Sequence, residues 1–285
     1  MPTSEWLRRY ESVKEQLACT IDLEAYFTEA AIAGMAVDVL NIGSISIPTG
    51  ELIACDPLVE LEDARPYLQT VPAGTYAVTI CVVPSELYGD RYACVKMAIS
   101  DERPVRYDLG MVGDEDLEDL EDDTFFGFFV DAGMGCIADV RTQEAFRAYW
   151  AKRLEEDESI DPYNDLFFDL LDESAREHPR YQREGGDWVN WTVPGTERNL
   201  AAFTSGWGDG VYPVYFGYAP RVRCAACTST SSTSRRATNS DTTGRWCRPI
   251  GSMDRPGPHA TLCRPCAYTL ASSSGSLSSS AVLVY

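Results

Sequence analysis

Positive charge is what this chain has least of. Lys and Arg number 24 against 44 Asp and Glu, for a formal net charge of −20. A surface so acidic repels phosphates and anionic lipid, so neither nucleic acid nor membrane is an expected partner. Long apolar runs are missing too, and none approaches the roughly 20 residues that span a bilayer. The opening residues Met1-Pro2-Thr3-Ser4-Glu5 lack the basic and apolar regions of an export signal, so the expected location is the cytoplasm. Histidine is scarce: His178 is the one histidine before residue 221. It sits in Glu177-His178-Pro179 at the end of an expected helix, where the helix dipole is reason enough for it. No Ser-His-Asp or Cys-His signature is recognisable. Neither glycine cluster follows a strand and opens a helix in the phosphate-binding manner. No cofactor is expected, and no internal repeat of fixed period is visible.

What is present divides into two unlike parts. Residues 221–285 hold eight Arg, no Lys, no Glu and only Asp241 and Asp254, a charge of +6. Residues 1–220 therefore carry 16 basic and 42 acidic side chains, a net −26 that the total conceals. The tail is rich in Ser and Thr and has little apolar periodicity to drive a fold, so disorder is expected across 221–285. Residues 1–220 are long enough for a single domain with a sizeable core.

Within that domain the patterning is mixed. Trp6, Tyr10, Val13 and Leu17 recur at helical spacing, and Asp22 is placed to cap a second short helix. Residues 36–47 suggest a hairpin around Asn41-Ile42-Gly43, while Tyr76, Val78, Ile80 and Val82 alternate as in a strand, as do Ala93, Val95, Met97 and Ile99. The run 125–130 reads as a buried strand. Thr142 is expected to cap a helix whose Phe146, Tyr149, Trp150 and Leu154 share a face, and a further helix carries Leu166, Phe167, Leu170 and Leu171. After a Gly185-Gly186 break, 188–193, 200–204 and 211–216 read as short strands. The order of strands, two helices, then strands predicts an α+β fold: a β-rich domain with N-terminal helices and a central helical pair. The acidic run 114–123 reads as a solvated loop.

The tail's cysteines suggest zinc. Cys224 and Cys227, and Cys263 and Cys266, form two pairs with the two-residue spacer that lets both thiolates reach one tetrahedral ion. The 35 residues between Cys227 and Cys263 exceed the usual roughly 15–20, so a zinc ribbon is not the favoured reading. A change of reading frame accounts for the tail's composition as well as its cysteines. One GC-rich choice of codons for Arg223 to Ser232, read from the third base, gives Val-Arg-Arg-Leu-His-Leu-Asp-Phe-Leu, an alternating apolar strand.

Four segments carry a family resemblance. They are 47–58 (IPTGELIACDPL), 71–76 (VPAGTY), 130–139 (VDAGMGCIAD) and 205–213 (SGWGDGVYP). In this order they resemble the bacterial family called domain of unknown function 4241, over roughly residues 20–220. The resemblance implies a soluble bacterial domain with no established activity. Family members similarly end, soon after the last motif, in a strand resembling Arg-Leu-x-x-Asp-Phe, which the alternate frame supplies and the written tail does not.

Asp56, Asp131, Asp139 and Asp209 lie in or beside these Gly- and Pro-marked turns. If they converge, they can hold Mg²⁺ or Ca²⁺ or act as a general acid and base, as in a carboxylate- or metal-dependent hydrolase. If they do not, each caps a tight turn by accepting backbone N–H groups. Cys55 and Cys136 read as buried free thiols. Trp188, Trp191, Trp207 and Tyr212 are candidates for a binding surface, with packing in a β core as the alternative. Taken together, the residues favour binding over catalysis. The expectation is an interaction domain, of immunity type for example, that the −26 charge steers to a basic protein partner.

Overall fold

The computed structural model describes residues 1–87, 89–121, 124–220 and the strand 277–284. Its elements are α1 (Ser4–Leu17), α2 (Ala25–Thr28), β1 (Ala31–Ile32), β2 (Met35–Ala36), β3 (Asp38–Ile47), β4 (Leu52–Cys55), β5 (Gly74–Val83), β6 (Arg91–Ala98), β7 (Arg106–Leu109), β8 (Phe128–Val130) and β9 (Met134–Asp139). They continue with α3 (Val140–Glu156), a π-helical turn (Tyr163–Phe167), α4 (Phe168–Glu177), β10 (Trp188–Thr192), β11 (Asn199–Thr204), β12 (Gly210–Tyr212), β13 (Val214–Pro220) and β14 (Leu277–Val284). The fold is α+β, as the residue pattern predicts.

Two antiparallel sheets carry the domain. Six strands run in the order β3-β5-β6-β14-β13-β7, and four in the order β10-β11-β9-β4. Alternation along β5 and β6 turns Val78, Ile80, Val95 and Met97 to one side, where they meet Ile137, Trp188, Ala201 and Phe203 of the smaller sheet in a shared core. The far face of the smaller sheet buries Ile53, Cys136 and Trp191 against Phe146 and Trp150 of α3 and Phe167 and Leu171 beside them. On the far face of the larger sheet, Val13 and Leu17 of α1 cover Cys81, Cys94 and Leu109. The layers are therefore helix, sheet, sheet, helix. Covered on both faces, β4 and β9 are buried along their whole lengths. Among the described residues no helix is long and apolar enough to cross a membrane.

Several local expectations are corrected. Residues 38–47 are one strand, not a hairpin. The Asn41-Ile42-Gly43 signal marks a bulge, a register shift between Asn41 and Ser44 against β5. Gly43 has φ +95°, and a Cβ there would lie 2.9 Å from the Asn190 amide nitrogen. That amide bonds Ile42 O and Ser44 O, so a long-range partner takes the carbonyls that a tight turn would have used. The cap of α3 is Asp139, whose carboxylate accepts from Arg141 N at 2.8 Å, and Thr142 lies inside the helix. Asp22 makes no side-chain cap to α2, whose N-cap is Glu24. Only 128–130 of the Phe-rich run form a strand, with Phe129 65% exposed. Pro213 separates β12 from β13. β14 lies in the sheet between β6 and β13, which corrects the disorder that the tail's composition predicts for these eight residues. Residues 221–276, and the disorder expected there, lie outside the described residues.

Candidate functional site

Asp56 is buried, and three backbone groups satisfy it. Its Oδ1 accepts from Leu58 N at 3.0 Å, and its Oδ2 from Asp131 N at 3.1 Å and Ala132 N at 2.7 Å. The side chain thereby ties the segment after β4 to the turn between β8 and β9. Asp139 is likewise buried at the N-terminus of α3, where its Oδ2 also accepts from Thr49 N at 3.0 Å and Thr49 Oγ at 2.7 Å. A carboxylate there also meets the positive end of the helix dipole. Asp131 and Asp139 flank opposite ends of β9, roughly 20 Å apart at strand rise. Asp131 and Asp209 are exposed. Asp139 therefore lies apart, while Asp131 adjoins Asp56 through its N–H and, like Asp209, flanks the paired residues Val130 and Gly210. Among the described residues these carboxylates form no metal-holding group, and Asp56 and Asp139 already serve as acceptors for backbone N–H groups.

The candidate cysteines and aromatics separate in the same way. Cys55 and Cys136 face each other across β4 and β9, with sulfurs 3.5 Å apart. The hydrogen bond that the Cys55 S–H makes to the Cys136 sulfur, followed by burial, raises the Cys55 thiol well above its ordinary range and keeps it protonated. Cys224, Cys227, Cys263 and Cys266 lie outside the described residues, and among the described residues no group of three or more metal-ligating side chains is assembled. Trp191 is a core residue, edge-on to Phe146, Tyr149 and Phe167 at 5.8–6.2 Å. Tyr212 tilts against Phe128 and donates its hydroxyl to Gly208 O at 2.8 Å. Trp188 packs between the sheets under His178, which ends α4 and stacks on the indole at 5.4 Å. Trp207 alone among the four stands out in solvent, 85% exposed.

Trp207 marks the mouth of a cleft of about 650 Å³. Three turns shape it: the one after β8, the one after β11 and the loop entering β10. Ser205 joins the first two, its N and Oγ donating to Gly133 O at 3.0 and 3.2 Å while Oγ also reaches Gly208 O at 2.7 Å. Gly206 allows the approach to β6: with φ +78°, a Cβ there would sit 2.3 Å from Tyr92 O. Gly206→Ala is expected to lower stability by about 2 kcal/mol, from left-handed strain and that clash. A thermal melt would read this as a fall of roughly 4–8 °C.

The lining gives the cleft its chemistry. Arg91 lies over the Trp207 ring at 5.9 Å, and Arg183 Nε bonds Asp187 Oδ1 at 2.8 Å. Tyr163 and Phe168 form the opposite lip, exposed by 47% and 48% and edge-on to each other at 6.4 Å. Both belong to segment 155–177, which holds ten Asp or Glu and one cation, Arg176. Hydrogen bonds from the side chains of Ser159 and Asn164 hold Asp157 and Asp161 below the ordinary carboxylate range. Those two aspartates keep their charge at a pH where unassisted ones begin to take up protons. Such a surface offers exposed rings for contact and carboxylates for attraction. Tyr163, Phe168, Arg91 and Arg183 escape a reading of the sequence alone, although Phe168 does carry a signal, as a large ring off the apolar stripe of Leu166, Phe167, Leu170 and Leu171.

A family model described as a protein of unknown function (DUF4241) matches residues 45–226. No curated protein and no solved structure matches the chain.

Proposed function

The chain belongs to the DUF4241 family of proteins of unknown function, and on that premise we propose that it works as a binding domain whose partner is a basic protein. The partner docks over the acidic segment 155–177 and the aromatic mouth of the Trp207 cleft. One observation carries the reading: Tyr163, Phe168 and Trp207 stay in solvent beside a segment with ten carboxylates to one cation. Exposed rings are the usual anchors of an interface, and Tyr163 and Phe168 sit within a segment where carboxylates outnumber cations ten to one, which steers an oppositely charged partner into the encounter. The domain charge of −26 over residues 1–220 adds to that field at long range. A toxin neutralised by this domain is one partner of this chemistry, and a toxin gene beside this one would identify the pair to test.

The expected kinetics separate the two roles. With a basic partner in hand, association slows steeply as salt rises, because charges beyond a Debye length of about 10 Å are screened at 0.1 M. Asp169→Lys lowers the association rate, whereas Phe168→Ala and Trp207→Ala raise the dissociation rate about tenfold or more, as truncated interface anchors do. Stopped-flow or surface-plasmon measurements check this, and an association rate indifferent to ionic strength counts against the reading.

A further inference from the structure

β10 is an edge strand: β11 pairs with one side of it, and no described strand pairs with the other. Two hydrogen bonds that bracket it settle which of its backbone groups are spare. Thr204 N donates to Asp187 O at 2.7 Å, and Val193 N to Arg198 O at 2.8 Å. Both continue the β10–β11 register, so antiparallel alternation turns the N–H and C=O of Val189 and Trp191 toward β11 and those of Trp188, Asn190 and Thr192 away from it. The Trp188 N–H is then met by Gln182 Oε1 at 3.1 Å. The backbone N–H and C=O of Asn190 and Thr192 have no partner among the described residues.

All five residues of β10 line a groove of about 700 Å³. One wall is the end of α4, with Leu170, Glu173 and Glu177, and the other is the β3 bulge from Leu40 to Ser44. The Trp188 indole, only 5% exposed on this groove, has an Nε1–H without an acceptor among the described residues. Buried donors of that kind are few in native proteins, and each calls for an acceptor. Arg180 on the rim is already paired with Asp38, so the carboxylates of Glu173 and Glu177 set the sign of the groove.

We propose that this groove takes an extended segment of a partner protein, bearing lysine or arginine at alternate positions, as a strand added to β10. The backbone groups of Asn190 and Thr192 supply main-chain pairing, which gives affinity to any extended chain. The walls supply selection, because successive side chains of the added strand fall alternately toward the Glu173 and Glu177 carboxylates and toward Leu40 and Ile42. A second copy of this chain is a worse occupant, since self-pairing at β10 would bring two such acidic walls together. The groove shares no lining residue with the Trp207 cleft, and although Glu173 and Glu177 also belong to the acidic segment 155–177 of the function proposed above, protection of the Asn190 and Thr192 amides reports on the groove alone.

The test uses the full chain and a capped peptide of alternating valine and lysine, followed by amide hydrogen exchange. Two further peptides are N-methylated, one at every valine and the other at every lysine. The parent peptide is expected to bind and to slow exchange at the Asn190 and Thr192 amides. Because alternate residues of a strand present their N–H groups to the same edge, one methylated peptide loses about tenfold or more in affinity and the other binds. The double substitution Glu173→Lys with Glu177→Lys weakens the parent peptide by about tenfold, as reversed charges at an interface do. The proposal is overturned if the parent peptide does not bind, if both methylated peptides bind as it does, or if binding leaves Asn190 and Thr192 unprotected. Protection that appears without peptide and grows with protein concentration assigns the edge to self-pairing and also overturns it.

Discussion

Deleting residues 277–284 is expected to abolish cooperative unfolding of the whole domain. β14 pairs with β13 from Val214↔Val284 to Pro220↔Leu277 and with β6 from Ala281↔Ala98 to Val284↔Val95. It is the interior strand that joins β3-β5-β6 to β13-β7, and without it the larger sheet divides in two. The division exposes two unpaired edges next to Val95, Met97, Val214 and Phe216, which lie at the centre of the shared core. Unpaired edges template aggregation, and losing the ladder on both sides of an interior strand removes a large share of the roughly 5–15 kcal/mol by which a domain is stable. A complementary deletion has the opposite outcome. Pro220 lies opposite Leu277, so replacing residues 221–276 with a hairpin loop of about two to five residues preserves the pairing, and cooperative melting with it. Circular dichroism melts of the two chains decide the matter, and equal melting would show that β14 does not fill this slot. A third chain, continuing after residue 222 as Val-Arg-Arg-Leu-His-Leu-Asp-Phe-Leu, presents the alternate-frame strand to the same slot directly after β13. If that segment is the evolved partner of β6 and β13, it melts at least as high as the chain with the short loop. The family match ends at residue 226, just past β13, so it lends the written tail no support.

Asp56→Ala is the second large effect expected, a loss of about 4 kcal/mol. The substitution leaves three backbone N–H groups, those of Leu58, Asp131 and Ala132, without their acceptor beside a buried position. Hydrogen bonds to a charged acceptor are worth about 1.5–3 kcal/mol each, and orphaned donors carry a desolvation penalty besides. Asp56→Asn keeps one acceptor oxygen and is expected to lose about half as much, because its amide can satisfy one branch of the pattern but not both. Urea unfolding measures both variants. The same experiment separates structure from chemistry: a catalytic Asp56 would leave the unfolding midpoint in place. The consequence reaches the cleft, since the 131–133 turn that Asp56 holds is bonded through Gly133 O to Ser205, which precedes Trp207. Trp207 emission is expected to change in Asp56→Ala well below the denaturant concentration of global unfolding, reporting a loosened turn.

Much of the fold is legible wherever one side of an element decides its burial. The Trp6-Tyr10-Val13-Leu17 stripe becomes the covered face of α1, and the alternation of Val78, Ile80, Val95 and Met97 becomes the inner face of β5 and β6. Legibility fails where a local signal has two structural solutions. Asn41-Ile42-Gly43 demands positive φ whether the chain turns or bulges, and only Asn190, 148 residues from Ile42 along the chain, resolves it by bonding the Ile42 carbonyl. Thr142 is a good N-cap by residue type. Asp139 takes that role because β9 delivers it to the helix start with Thr49 alongside. In 125–130, hydrophobicity alone cannot show that Phe129 has no sheet or helix to cover it.

The candidate site divides along the same line. By itself the sequence determined the α+β class, the family motifs and the concentration of negative charge in residues 1–220. Each of these follows from residue type, spacing and sign, which are properties of the chain before it folds. The tertiary structure alone decided which acidic and aromatic residues are spent on the fold and which remain at the surface. Asp56 and Asp139 turn inward because unpaired backbone donors wait for them there, and Trp191 because three rings surround it. Trp207 stays outside because Ser205 and Gly206 hold its turn at the rim of the domain. Burial depends on what comes to rest against a side chain, and that is settled only when distant segments meet.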